Sequence, residues 1–553
     1  MRSLANVLFF LCISAAWLAP GPVLAEKQTV CTITVNSADE QEAFRRHLPA
    51  AKYQFVELVE RHRPDWLTSA CHAAIACDVL VISGHYGAGN EFFSDALEAR
   101  EFLPIGELER VSCSDSCPSL FSRLKEVYLF GCNTLNPHAQ HPASGEIARS
   151  LVREGRSPVE ADRLARLLSS GHGESSRDRM RLVFKDVPVI YGFSSAAPLG
   201  PTAASTLSRH FQATGTGEIG RGHASSRLLA QFAPQGMVVT RGMTDADPHA
   251  DMRQDVCKFA DDRLSHAQRL AFVHQLLQRP MAEARMLLDR IEGYAAALDG
   301  RMRQEPEVAK ALDGIAHDTG TRARYLAFAR DADQPEVRAR MINVAHDLGW
   351  LSPAQRRDEL VRMLGELLAR EAIVGTDVDL ACTLNKDHVL DGALGELVPS
   401  GGRRDDVGHA AVRACMGSTE AHARVLMGLV SPADADVRIA QVYLHHRPIA
   451  DVNELRAATA AVARMSGSEA QVRALDVLAQ HYLSDGESLD TLTQLFSKTR
   501  SWPVQNAIAG VLIRADPRSI AGPQLLRRLH EDRLKPSESD NMVDALIRRL
   551  QLP

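Results

Sequence analysis

The chain has 553 residues, of which 45% are hydrophobic, 24% charged and 5% aromatic, with a formal net charge of -6. That length exceeds what one hydrophobic core serves and suits two or three globular domains. No basic stretch is dense enough for nucleic acid as a main partner, and the arginines of the second half alternate with Asp and Glu as on a solvated helix surface.

Residues 1–25 read as a secretory signal peptide. Met1-Arg2 is a short positive start, residues 7–18 are an apolar run too short to span a bilayer, and Val23-Leu24-Ala25 before Glu26 fits a small-residue cleavage site. Pro20 and Pro22 interrupt any helix directly after the run, which argues against an uncleaved anchor. No later stretch is long and apolar enough to cross a membrane. The expectation is a secreted or periplasmic chain without membrane contact once the signal is removed.

Residues 26–260 alternate strand and helix signals. Strands are expected at 29–36, 54–60, 78–84, 127–131 and 186–193, and helices at 38–48, 64–76, 102–111, 145–154 and 160–169, with Ser144 as a cap and Pro158 near a helix start. Two of the strand runs end in reactive residues. The first is Asp78-Val79-Leu80-Val81-Ile82-Ser83-Gly84-His85-Tyr86-Gly87, and the second is Glu126-Val127-Tyr128-Leu129-Phe130-Gly131-Cys132-Asn133-Thr134. Continuous apolar runs ended by Gly are the mark of parallel strands covered on both faces, and open α/β sheets place ligands at the carboxyl ends of such strands. His85 and Cys132 would then stand side by side, the arrangement in which an imidazole raises the thiolate fraction of a cysteine.

This syntax resembles the caspase-like cysteine peptidases, a group that includes caspases, gingipains, separases and the bacterial CHAT domains. The resemblance covers residues 28–257 and rests on the two motifs and the order of strands and helices. It implies a mostly parallel sheet flanked by helices, His85 as general base, Cys132 as nucleophile, and backbone N–H groups near Gly87 and at Cys132 as the oxyanion hole. It departs from the family at Tyr86, which intervenes before Gly87, and at Phe130, where several members carry an acidic or amide residue that reads the substrate. No acidic or basic cleavage preference is therefore implied. Tyr86, Phe130, Ser194 and Ser195 are the candidate substrate-pocket residues, the two serines lying in the loop that follows strand 186–193.

From Asp261 to residue 553 strand signals vanish and helix-period segments recur between Pro, Gly and Asp breaks. A phrase repeats at Pro335-Glu336-Val337-Arg338-Ala339, Asp436-Val437-Arg438-Ile439-Ala440, Gln471-Val472-Arg473-Ala474-Leu475 and Pro503-Val504-Gln505-Asn506-Ala507. The last three are one helical hairpin apart and resemble the second helix of HEAT-type repeats, whose stacked hairpins leave a concave protein-binding face. An irregular helical domain fits the degenerate repeat as well.

Ten cysteines become nine when Cys12 leaves with the signal, so at least one stays unpaired or bonds another chain. Leaving Cys132 free gives up to four disulfides, as expected outside the cytosol. Sequence proximity pairs Cys113 with Cys117 and Cys71 with Cys77, although a bridge from Cys71 or Cys77 to Cys113 or Cys117 serves equally; Cys382 and Cys415 are expected to join neighbouring helices. His138 and His141 with His85 and Cys132 are donors that zinc accepts, yet their spacing fits no zinc motif and they read as solvated loop histidines. Neither metal nor cofactor is expected, since no phosphate-binding glycine loop, Gly-x-Ser-x-Gly elbow or repeated Cys-x-x-Cys pair occurs. The reading is a cysteine endopeptidase acting on a peptide or protein, with the helical repeats binding substrate or a protein partner. The alternative is a non-catalytic scaffold in which a peptidase-like domain supports a binding solenoid.

Overall fold

The computed structural model describes residues 27–58, 67–87, 90–94, 101–139, 143–248, 250–395, 406–466, 468–520, 522–535 and 541–551. The signal segment 1–25, the end of the expected strand 54–60, the start of the expected helix 64–76 and His141 lie outside them. The chain forms two compact units, Met1–Arg290 and Ile291–Pro553.

The first unit is built on strands β1 (Gln28–Thr34), β2 (Tyr53–Glu57), β3 (Val79–Ser83), β4 (His85–Tyr86), β5 (Glu91–Phe93), β6 (Phe102–Pro104), β7 (Glu126–Phe130), β8 (Val189–Phe193) and β9 (Met237–Thr240). Six of them form one sheet in the order β2-β1-β3-β7-β8-β9, parallel except for β9. Every residue of β3, β7 and β8 is buried, which is why these runs read as unbroken apolar stretches. Leu80 and Ile82 enter the core on one face, with Leu108 and Val111 of helix Ile105–Cys113 and Met180 of helix Ser176–Val183. Val79 and Val81 enter the other, with Phe44 of helix Asp39–His47 and Leu207 and Phe211 of helix Gly200–Thr214.

Several elements differ from the sequence expectation. Residues 102–111 do not form one helix: Pro104 is extended at φ -64° and ψ 141°, so Phe102–Pro104 pairs with β5 as a strand and the helix starts at Ile105. The proline ring keeps the preceding residue extended and has no N–H to donate. The helix expected over 64–76 is described only as Thr68–His72. The helix near 145–154 begins at Ser144, which is its first residue and not a cap, whereas Ser157 forms a capping box with Glu160 at the head of helix Pro158–Gly171. The small antiparallel sheet β4-β5-β6 and the antiparallel β9 were not foreseen.

Four disulfides form: Cys31–Cys77, Cys71–Cys117, Cys113–Cys257 and Cys382–Cys415. The pairings by proximity, Cys113 with Cys117 and Cys71 with Cys77, do not occur; the crossed partner Cys71–Cys117 does. Cys113 ends a helix packed along helix Met252–Ala260, so its side chain meets Cys257 rather than the loop that follows it. Cys382 and Cys415 join helices Gly375–Leu384 and Val407–Cys415, which pack on each other. Such bridges belong to an oxidising environment. Among the described residues no helix is long and apolar enough to cross a membrane.

The first unit runs past the change of composition at Asp261. Ala282 and Met286 pack against Ile147, Leu151 and Leu168, the buried Arg285 meets Glu146 at 3.3 Å, and Arg290 grips Glu109 through two bonds of 2.5 and 2.8 Å.

The second unit is helical, and among the described residues no strand follows Thr240. Helices Gly375–Leu384, Asp434–His446, Ser468–Ala479, Trp502–Leu512 and Met542–Gln551 each pack on the next, while Val452–Ala463 packs on Gly486–Lys498 in a second row. That stacking of alternate helices is how hairpin repeats share one continuous core. The recurrent phrase supplies it: Val437, Ala440, Ala474, Leu475 and Val504 are buried, and Arg473 reaches back at 2.6 Å to Asp434, the first residue of an earlier helix. Gln471 and Gln505 add a feature the phrase did not reveal. Each buries its amide and donates to the carbonyl at the end of the preceding helix, Val462 O at 2.9 Å and Phe496 O at 3.0 Å. The side-chain amides thereby tie the end of each helix to the next one inside the stack.

Candidate functional site

Strands β3 and β7 are neighbours in register, with Ser83 opposite Phe130, and the Gly84 N–H extends the pairing by donating to Phe130 O at 3.1 Å. Two positions past that last register pair stand His85 on one strand and Cys132 on the other, at the carboxyl edge of the sheet where open α/β folds bind ligands. There the chain of β3 turns aside: His85 and Tyr86 leave the main sheet and become β4, paired with Phe93 and Phe92 of β5. Phe93 also packs its ring on His85, centroids 5.4 Å apart, so the small sheet sets the position of the imidazole.

Gly131 is what allows this approach. A Cβ there would lie 2.8 Å from Gly84 O and 2.9 Å from the Tyr86 Cβ, so the backbone carrying His85 rests directly on the residue before Cys132. Gly131→Ala is expected to push the two strand ends apart, slowing alkylation of Cys132 severalfold and costing about 1–3 kcal/mol of stability through overpacking. Thiol alkylation and urea unfolding of the variant check this, and unchanged alkylation would show that the strand ends do not depend on each other.

Past Cys132 the chain turns sharply, with Asn133 in the left-handed region at φ 59°. Thr134, fully buried, locks that turn. Its hydroxyl donates to Gly131 O at 3.2 Å and accepts the Phe193 N–H at 3.1 Å, while Asn133 N–H donates to Ser195 O at 2.8 Å and Leu135 N–H to Phe193 O at 2.9 Å. The loop after β8 is thus laced to the Cys132 turn, and at its far end the Ala197 N–H donates to the Cys132 sulfur at 3.3 Å. Neither Thr134 nor Ala197 carried a signal in the sequence.

Cys132 is half-buried and is the free cysteine of the described chain, all the others being in disulfides. Among the described residues, nothing accepts the N–H of Cys132 or of Gly87. Ser194 and Ser195 lie in the loop beside Cys132, Ser195 exposed, and Ser194 is held by its N–H and hydroxyl to Gly236 O at 3.2 and 3.3 Å. The two aromatic candidates sit differently. Tyr86 and Phe130 are each 4% exposed and belong to the cores on opposite faces of the sheet, Tyr86 against Phe92 and Phe130 against Phe193 and Phe232. Their rings therefore fill the cores and do not line the substrate pocket expected from the sequence. His138 is exposed in the loop beyond the turn, its N–H on the Asn136 side chain at 2.9 Å. Among the described residues no cluster of His, Cys, Asp and Glu is arranged to hold a metal.

One further ionisable group lies at this edge of the sheet. Glu40, near the start of helix Asp39–His47, is 3% exposed and its Oε2 has no hydrogen-bond partner. Burial pushes its carboxyl up to about 7, with neighbouring Asp39 adding to the rise and the Ser83 and Ser37 hydroxyls opposing it. No family model matches the chain, and a search of curated proteins finds no match.

Proposed function

We propose that the chain is a cysteine endopeptidase of the caspase-like kind, secreted or periplasmic, whose HEAT-like helical repeats bind a substrate or partner protein. The observation that carries this reading is the pairing of a free thiol with a histidine at adjacent strand ends, in a chain that has bonded its other described cysteines. In an oxidising environment a thiol kept unpaired at a strand end beside the one that carries a histidine has a use that a structural cysteine has not.

His85 takes the Cys132 proton and the sulfur attacks the substrate carbonyl carbon. The carbonyl π electrons move onto oxygen, where the open N–H groups of Gly87 and Cys132 meet the negative charge. Collapse of this intermediate breaks the C–N bond, and His85 returns the proton to the leaving amine. Water, giving a proton to His85, then hydrolyses the thioester, and the proton passes back to sulfur. Ser194 and Ser195 form the wall of the substrate cleft nearest the sulfur.

The test is iodoacetamide labelling with peptide mapping. Wild type is expected to react at Cys132 far faster than a buried structural thiol, and His85→Ala to slow peptide hydrolysis by on the order of 10²-fold or more. Equal labelling of wild type and His85→Ala, with no hydrolysis by either, would favour the non-catalytic scaffold.

A further inference from the structure

The Cys132 sulfur is an acceptor as well as a nucleophile: the Ala197 N–H points at it from the loop between β8 and helix Gly200–Thr214. We infer that this main-chain N–H is a positioning group for Cys132, fixing the sulfur on the Ser194–Ala197 side of the site. The inference rests on Cys132 being the nucleophile, but not on which substrate it attacks.

Three observations make the contact more than a passing approach. The loop is anchored to the Cys132 turn by Asn133 N–H on Ser195 O, so Ala197 is delivered to the sulfur by a chain of main-chain bonds. It is anchored again at Ser194, whose N–H and hydroxyl both reach Gly236 O, and Gly236 takes a left-handed φ of 72° to present that carbonyl before β9. Beyond Ala197, Pro198 and the helix start at Gly200 follow, and Gly200 lies closely against the Ser37 and Asp39 side chains, where a Cβ would be 2.6 Å from the Asp39 carboxylate. The donor therefore sits on a loop held at both ends. A hydrogen bond to a charged acceptor is about twice as strong as one between neutral groups, so a fixed N–H gains more from S⁻ than from S–H. Because the donor is backbone, only its removal tests it, not a change of side chain.

Ala197→Pro removes the N–H and Ala197→Gly keeps it. In the full chain, Cys132 alkylation by iodoacetamide at fixed neutral pH is expected to fall about tenfold in Ala197→Pro, the loss of one charge-assisted hydrogen bond. Ala197→Gly should stay close to wild type. Equal rates in the two variants would overturn the inference. Should Ala197→Pro fail to fold, hydrogen exchange at the Ala197 amide of [¹⁵N]Ala-labelled protein decides the matter. Its exchange should quicken when Cys132→Ala removes the acceptor, and an unchanged rate would overturn the inference too. None of these readouts needs a substrate, so a chain without peptidase activity that still shows them would refute the proposed function and leave the Ala197 contact standing.

Discussion

Cys132→Ala is expected to lose essentially all hydrolytic turnover, a fall on the order of 10⁴-fold or more, while melting close to wild type. The size of the loss follows from how the unit works: once the nucleophile is gone, the imidazole and oxyanion donors have no covalent step to assist, so their contributions disappear with it. The fold should survive because the side chain is only half-buried and makes no disulfide, so its removal opens no large cavity and breaks no cross-link. Its one described hydrogen bond, from Ala197 N–H, leaves a donor that water can reach from the exposed loop. Assay of wild type and variant on an unfolded protein substrate, with thermal melting of both, checks the two halves together. Retained cleavage would place the activity elsewhere; a large drop in melting temperature would mean that Cys132 is structural.

The strands that lead to His85 and Cys132 were readable in the sequence because β3 and β7 are buried on both faces, and burial on both faces leaves an unbroken apolar run. The alternation of strand and helix, and the loss of strands in the second half, were readable from the change between apolar runs and helical periods. β4, β5 and β6 were not, since two or three residues hold no periodicity; their pairing is imposed by the chain leaving the main sheet at Gly84 and by the extended Pro104. The disulfides show the limit of sequence distance. Cys113 and Cys117 are neighbours in the chain, yet one ends a helix and is aimed at Cys257 across 144 residues. At the site, His85 and Cys132 were legible as residue types with a known chemistry. Thr134 and Ala197 were not, because what they supply is a locked turn and a main-chain N–H, and any residue with a hydroxyl or an amide could have stood there. Tyr86 and Phe130 misled by proximity: Tyr86 adjoins His85 and Phe130 lies two residues before Cys132, but the pleat carries their rings into the cores.

Arg290→Ala is expected to cost about 3–5 kcal/mol, because it strands a buried carboxylate. Arg290 and Glu109 are 14% and 6% exposed and form a bidentate pair within the first unit. Burial by itself raises the Glu109 carboxyl, but the charge and hydrogen bonds of Arg290, aided by the charges of Arg179 and Arg253, outweigh it and hold the group below its ordinary value. A carboxyl depressed in the folded state adds stability at pH values above its unfolded pKa, and that stability is lost as pH falls through the folded value. The wild-type advantage over Arg290→Ala should therefore be full near neutral pH and shrink on acidification, because a protonated Glu109 no longer needs a cation. Removing one partner strands a buried charge, whereas replacing both with apolar groups of similar volume removes the demand. Arg290→Met with Glu109→Leu should accordingly recover most of the loss. Urea unfolding of wild type and the two variants at neutral and acidic pH measures all of this. A loss under about 1 kcal/mol, the range of an exposed pair, would mean that water reaches the bridge.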